Sequence, residues 1–171
     1  VLHGNKFIFN HASSTIYGII DLLEETLKNL KFTEFDELQR NLRSSSEASI
    51  VPIKLNHPGG ASGYVIDEYG KRVCCFLDHE FGEDQEVDEN LLDISKTADL
   101  VIWDGMFLDS ELVSKKGWGH SSVEQGVTFA ENSKCKKIAI AHHAPNRTDE
   151  QLKELENKLP SDHMFFAAEK M

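Results

Sequence analysis

The sequence predicts an α/β fold, a mixed β-sheet with flanking helices, and three observations carry that prediction. Between residues 50 and 77 apolar residues fall in short runs separated by turn signals, as in strands linked by hairpins. From residue 88 onward such runs alternate with amphipathic stretches, which implies strands separated by helices. No internal repeat, low-complexity tract or linker interrupts the chain, so 1–171 is expected to be a single domain, with 1–49 an upstream helical segment and 50–171 the α/β part.

Taken in order, Lys6-Phe9 reads as a strand. Ser13 and Ser14 offer a cap for a helix through about Leu30, whose Ile16, Ile19, Ile20, Leu23 and Leu27 form a stripe. Glu34 to about Leu42 is a second amphipathic stretch, ended by the polar loop Ser44-Ser45-Ser46-Glu47. Strands are expected at Ile50–Leu55, Tyr64–Asp67 and Val73–Leu77, the last two joined by the turn Glu68-Tyr69-Gly70-Lys71. After an acidic loop from Glu80 to Glu89, the expectation is a helix over Asp88–Lys96, a strand over Leu100–Trp103 and a helix over Ser121–Ser133. A strand over Lys137–Ala141, a helix over Asp149–Lys158 and a last strand over Met164–Ala167 complete the pattern.

Composition narrows the function. A hydrophobic share of 40% with 27% charged residues is ordinary for a globular protein. The net charge of −11 argues against a sequence-independent nucleic-acid binder, since phosphate contacts need clustered basic residues and no strong basic patch is present. A phosphate-ester substrate stays open, because a bound metal inverts the local field. Cys74 and Cys75 lie in one apolar run and point to opposite faces of a strand, and Cys135 stands alone, so all three read as reduced thiols. Reduced thiols favour a cytoplasmic location, and no apolar run approaches the ~18 residues of a membrane span.

Polar landmarks stand just beyond the apolar runs. His57 follows Ile50–Leu55 and precedes Pro58-Gly59-Gly60, where proline ends the strand and the glycines leave the imidazole uncovered; it is either a ligand or a turn histidine. Asp78 ends Val73–Leu77 and emerges at the sheet edge, as a ligand, a cap or a turn former. His120 closes Gly117-Trp118-Gly119-His120 at a helix N-terminus, where the helix dipole disfavours its charged form. To donate a proton it needs a compensating carboxylate; otherwise it is a structural residue in a Gly/Trp corner. His142 and His143 follow Lys137–Ala141 and point in different directions, so at most one reaches a shared site. His3, His11 and His163 lack such context and read as structural or exposed. Histidine and aspartate converging at strand ends suit a borderline divalent metal.

Taken together, His57 before Pro58-Gly59-Gly60, Leu77-Asp78-His79-Glu80, Gly117-Trp118-Gly119-His120-Ser121 and His142-His143-Ala144-Pro145-Asn146-Arg147 resemble, in order and context, the later half of the metallo-β-lactamase-fold hydrolases. The closest resemblance is to the branch containing phosphodiesterases and transfer-RNA 3′-processing nucleases, over about Ile50 to Ala168. The resemblance implies part of an αββα sandwich and two divalent metal ions, zinc first, with iron or manganese as alternatives. It implies His57, Asp78 and His142 as metal ligands, with Asp78 bridging the ions, and His120 as the group that protonates the leaving group. A hydroxide shared by the ions would attack a phosphodiester or related ester. His79, Glu80, Asp104, His143 and Asp149 would orient the imidazoles.

The family's His-x-His-x-Asp-His string does not occur in these 171 residues. The chain is therefore expected to be the C-terminal portion of such a hydrolase, with weak metal binding and little turnover on its own. Its expected partners are a small-molecule or nucleotide ester substrate, no membrane, and a second copy of the chain if an apolar surface is left open. The competing reading is a non-catalytic remnant of the fold that serves as a binding or interaction module. A redox iron protein comes last, because no flavin or haem signature supports it.

Overall fold

The structure is a computed structural model and describes residues 49–167. The expected strand at Lys6-Phe9, the helices from Ser13 to Leu30 and Glu34 to Leu42, and His3 and His11 lie outside the described residues.

Six strands form one sheet in chain order: β1 (Ser49–Leu55), β2 (Ala61–Glu68), β3 (Lys71–Phe76), β4 (Leu100–Asp104), β5 (Ile138–Ala141) and β6 (Met164–Phe166). β1, β2 and β3 pair antiparallel, and β3 to β6 pair parallel, so the sheet is mixed as expected. Two reversals leave β1 running in the same direction as β3. The C-terminal ends of β1, β3, β4 and β5 therefore share one edge of the sheet, and every polar landmark before residue 144 apart from His120 follows or ends one of those strands.

The parallel steps are bridged by helices α1 (Gln85–Ser95), α2 (Asp109–Leu112), α3 (Val123–Ser133) and α4 (Asp149–Glu156). Side-chain alternation sends Leu55, Val65, Cys74, Phe76, Val101, Trp103 and Ile138 to one face, where they pack with Val87 and Leu91 of α1 and Phe129 and Ala130 of α3. Ile140 and Phe166 extend that face toward Val123 of α3 and Leu152 and Leu155 of α4. Trp103 is fully buried and edge-on to His79 and Phe81, with its indole N–H donated to the Ser122 carbonyl at 3.1 Å. Gly126 is needed for this contact, since a Cβ there would lie 2.6 Å from the Trp103 ring.

Helix starts follow the side chains that cap them. Asp84 accepts from the backbone N–H groups of Glu86 and Val87, so α1 begins at Gln85, three residues before the expected start. Ser122, rather than Ser121, caps α3, in a reciprocal pair with Gln125, and Thr148 caps α4 with Gln151 in the same way. Among the described residues no helix is long and apolar enough to cross a membrane. Cys74 lies in the core and Cys75 on the opposite face; both are free thiols, and burial pushes that of Cys74 up to about 11.

Candidate metal centre

Four side chains converge at the shared edge. Asp78, Asp104, His120 and His142 each offer one donor atom within 4.8 Å of all the others. Asp78 comes two residues after β3, Asp104 is the last residue of β4, and His142 is the first residue after β5. His120 enters from the loop that precedes α3. Asp78 and His142 thus meet as expected, and His120 stands beside them.

Asp104 is the hub. It is fully buried, and its Oδ2 accepts the backbone N–H of Asp78 at 2.9 Å, His120 Nδ1 at 2.8 Å and His142 Nδ1 at 3.3 Å. Its Oδ1 accepts the N–H of Met106 at 3.2 Å. With Nδ1–H of each ring turned toward this carboxylate, the Nε2 atoms of His120 and His142 are left for a ligand or a proton. Burial is the largest influence on Asp104 and opposes its charge, yet hydrogen bonds and positive charge from His120 and His142 hold its carboxyl below the usual value. For His142, burial likewise opposes charge, but the hydrogen bond to Asp104 and the negative charges of Asp104 and Asp78 raise its pKa above 6.5.

Backbone strain marks the same place. Among the described residues four that are not glycine have positive φ: Tyr69 in the hairpin turn, Lys134 at the end of α3, and Asp78 (61°) and His142 (57°). The first two have ordinary turn and cap explanations. A left-handed residue costs about 1 kcal/mol, and the chain accepts that twice to bring two polar groups into one cluster.

The loop carrying His120 is pinned by a buried carboxylate. Glu80 accepts the backbone N–H of Gly117 at 2.7 Å and of Gly119 at 2.8 Å. Gly119 also makes room for His57: a Cβ there would lie 2.1 Å from the imidazole, and its φ of +86° excludes most side chains. His57 stands at the rim, its ring 5.7 Å from that of His120, and its Nδ1 accepts the N–H of Gly59 at 3.2 Å. It lies outside the group of four. The ring of His120 is edge-on to that of His142 at 5.0 Å.

The residues expected to orient imidazoles divide. Asp104 touches two of them, and Glu80 acts through the loop. His79 is fully buried and faces α1, with Nε2 3.0 Å from Asp88 and Nδ1 accepting the N–H of Asn56 at 3.2 Å. It ties a helix to the end of β1. His143 stacks on Phe166 at 4.5 Å, away from the cluster, in line with the opposed directions of the two histidines. Asp149 opens α4 and is exposed, and His163 is exposed beside Ser161. Asp88 and Glu111 gave no signal in the sequence beyond their charge; Glu111 pairs with Arg147, the last residue of the His142–Arg147 motif, and the pair braces the loop after β5 against α2.

Two imidazole nitrogens and two carboxylates within a few ångströms form a donor set that fits a borderline divalent ion such as zinc. The Nδ1 atoms lie 2.8 Å and 3.3 Å from Asp104, as hydrogen bonds, and 3.8 Å and 3.7 Å from Asp78, so an ion here would be met by the Nε2 atoms and the Asp78 carboxylate. His57 stands at the rim of this set, its ring 5.7 Å from that of His120.

No protein-family model matches the chain, and no curated protein matches it. Solved structures do. The metallo-β-lactamase fold protein YhfI from Bacillus subtilis is 16% identical with a TM-score of 0.60, over 75% of this chain and 50% of that one. Human tRNase Z, short form, is 18% identical with a TM-score of 0.54, over 75% of this chain and 43% of that one. A diphosphatase of the PhnP family is 16% identical with a TM-score of 0.52, over 73% and 42%. The chain spans about half the length, or less, of the structures it matches. The mixed sheet and its helices are therefore part of a metallo-β-lactamase fold, carried here with a cluster of two aspartates and two histidines at one sheet edge.

Proposed function

We propose that the chain forms part of a metal-dependent hydrolase acting on phosphodiesters or related esters. The observation that carries this reading is the convergence of Asp78, Asp104, His120 and His142 at the C-terminal ends of β3, β4 and β5, with one buried carboxylate holding both imidazoles. Asp78 and His142 would hold metal, with His57 completing a ligand set from the rim. When bound, divalent ions would supply Lewis acidity and a water of lowered pKa.

The chain's own groups account for the rest of the chemistry. Asp104 fixes the ring orientation of His142 and so leaves its Nε2 as the nitrogen that would face a bound ion. It does the same for His120 and compensates its positive charge, the requirement for an imidazolium placed just before a helix N-terminus. His120 would hold a proton on Nε2 and pass it to the leaving-group oxygen as the ester bond breaks. Glu80 holds the loop that aims it. Resemblance to a tRNase and a diphosphatase supports a substrate cleaved at phosphorus, a phosphate ester or a related anhydride.

The test is a panel of phosphodiester, phosphomonoester and carboxylic ester substrates, assayed with zinc, manganese or iron(II) added after chelation. Metal-dependent turnover of a phosphodiester, lowered at least about 100-fold by His120→Ala, supports the reading. Turnover indifferent to both chelation and Asp78→Ala refutes it.

A further inference from the structure

A cleft of about 410 Å³ adjoins the cluster, with Met106, Phe107, Lys115, Trp118 and Pro145 among its walls. Its connection to the cluster is direct. Phe107 stands edge-on to the His120 ring at 6.0 Å and to Trp118 at 6.3 Å, and Met106 donates its N–H to Asp104. Trp118 is 54% exposed, unusual for so large an apolar ring, while Trp103, the only other tryptophan, is fully buried. The Lys115 ammonium lies 3.9 Å from the Trp118 ring centre, and among the described residues it has no carboxylate partner. Glu111, the one acid lining the cleft, is already engaged by Arg147 and by the Leu108 N–H. An uncompensated cation over open aromatic surface, on a protein of net charge −11, is a place where a flat, anionic molecule gains both stacking and charge.

We propose that this cleft is a subsite for a planar aromatic ring borne by an anionic ester, a ring of nucleobase size seated against Phe107 and Trp118 with its charge met by Lys115. The identity of the reacting ester rests on the hydrolase reading above; binding of the ring needs neither metal nor turnover. Base stacking on an aromatic side chain is sequence-tolerant, so the subsite distinguishes ring from no ring rather than one base from another.

Adenosine 5′-monophosphate and ribose 5-phosphate, which differ by the ring, are the probes, titrated calorimetrically into the chelated chain. The nucleotide is expected to bind roughly tenfold more tightly than the sugar phosphate and to quench tryptophan fluorescence, which reports Trp118 because Trp103 is buried. Trp118→Ala is expected to erase the preference, Trp118→Phe to keep most of it, and Lys115→Met to weaken both probes alike. Equal affinity for the two probes, or a preference that survives Trp118→Ala, overturns the proposal. The preference is expected to persist in Asp78→Ala/His142→Ala, so a chain that prefers the nucleotide without hydrolysing any ester retains the subsite and loses only the hydrolase reading.

Discussion

Replacing Asp104 by Asn removes one negative charge and almost no volume from the centre of the cluster. Asp104 Oδ2 accepts from Asp78 N, His120 Nδ1 and His142 Nδ1 with no exposure to solvent, so two charge-assisted bonds become neutral ones. Such bonds are worth ~1.5–3 kcal/mol each, against ~1 kcal/mol for neutral ones, which places the loss at about 2 kcal/mol. The pH dependence has a definite sign. The folded-state pKa of His142 is raised above 6.5, so its contribution is fully present below pH 6.5 and is lost as pH rises through the folded value. The carboxyl of Asp104 is lowered below 3.8, so the same pairing is lost again as pH falls through that lower value. Urea unfolding of the chelated protein between pH 4 and pH 9 is the assay, with histidine NMR titration alongside. The expected result is a gap between wild type and Asp104→Asn that is widest near pH 5 to 6 and narrows toward alkaline pH, with His142 titrating lower in the variant. Zinc affinity is expected to fall about 10- to 100-fold, the usual effect of removing a carboxylate that orients a ligand imidazole. An unchanged His142 titration together with unchanged zinc affinity would refute the reasoning.

Other perturbations probe the surrounding scaffold. Gly119→Ala places a methyl group 2.1 Å from His57 and forces a left-handed backbone on alanine, so it should cost about 1–3 kcal/mol in a denaturation curve and shift the His57 resonance in an NMR spectrum. Glu80→Ala strands the N–H groups of Gly117 and Gly119, and their amide hydrogen exchange should accelerate well beyond that of the β4 amides. His79→Ala removes a fully buried ring that bridges Asp88 and Asn56; a loss of about 2–4 kcal/mol with little change in zinc affinity is expected. Asp99 accepts from Lys136, the Arg72 N–H and Lys71, which hold its carboxyl well below 3.8. The stability it provides is present above pH 3.8 and lost as pH falls through the folded value, so Asp99→Asn should flatten the acid limb of a stability–pH curve.

The sheet was largely legible because its signal is local. Short apolar runs bounded by turn or polar residues marked β1, β3, β4 and β5 to within two residues at each end. β2 begins at Ala61, three residues before the expected start, because Ala61, Ser62 and Gly63 have small side chains and low strand preference; pairing with Leu55, Lys54 and Ile53 makes them a strand. α1 was hidden at its start by the acidic run from Glu80 to Glu89, in which nothing local distinguishes the capping Asp84 from its neighbours. α2 is a single turn, too short for periodicity to show.

At the candidate site, polar residues immediately after apolar runs pointed to His57, Asp78 and His142. Asp104 was named only through the family resemblance, as one of five residues that would orient imidazoles; that it holds two rings at once could not be read locally, since a carboxylate ending a strand looks the same whether it orients rings or faces water. His79 illustrates the converse: it adjoins Asp78 in sequence, but the left-handed turn at Asp78 sends the next side chain into the core toward Asp88. Lys115 and Trp118 owe their positions to the path of one loop, which composition alone does not encode.

The central claim is that Asp78 and His142, steadied by Asp104, hold a divalent ion. Isothermal titration of zinc into the chelated chain, compared with the Asp78→Ala/His142→Ala variant, tests it most directly. Saturable zinc binding by the wild-type chain that disappears in a folded double variant is the expected result. Identical titrations of the two proteins would contradict it.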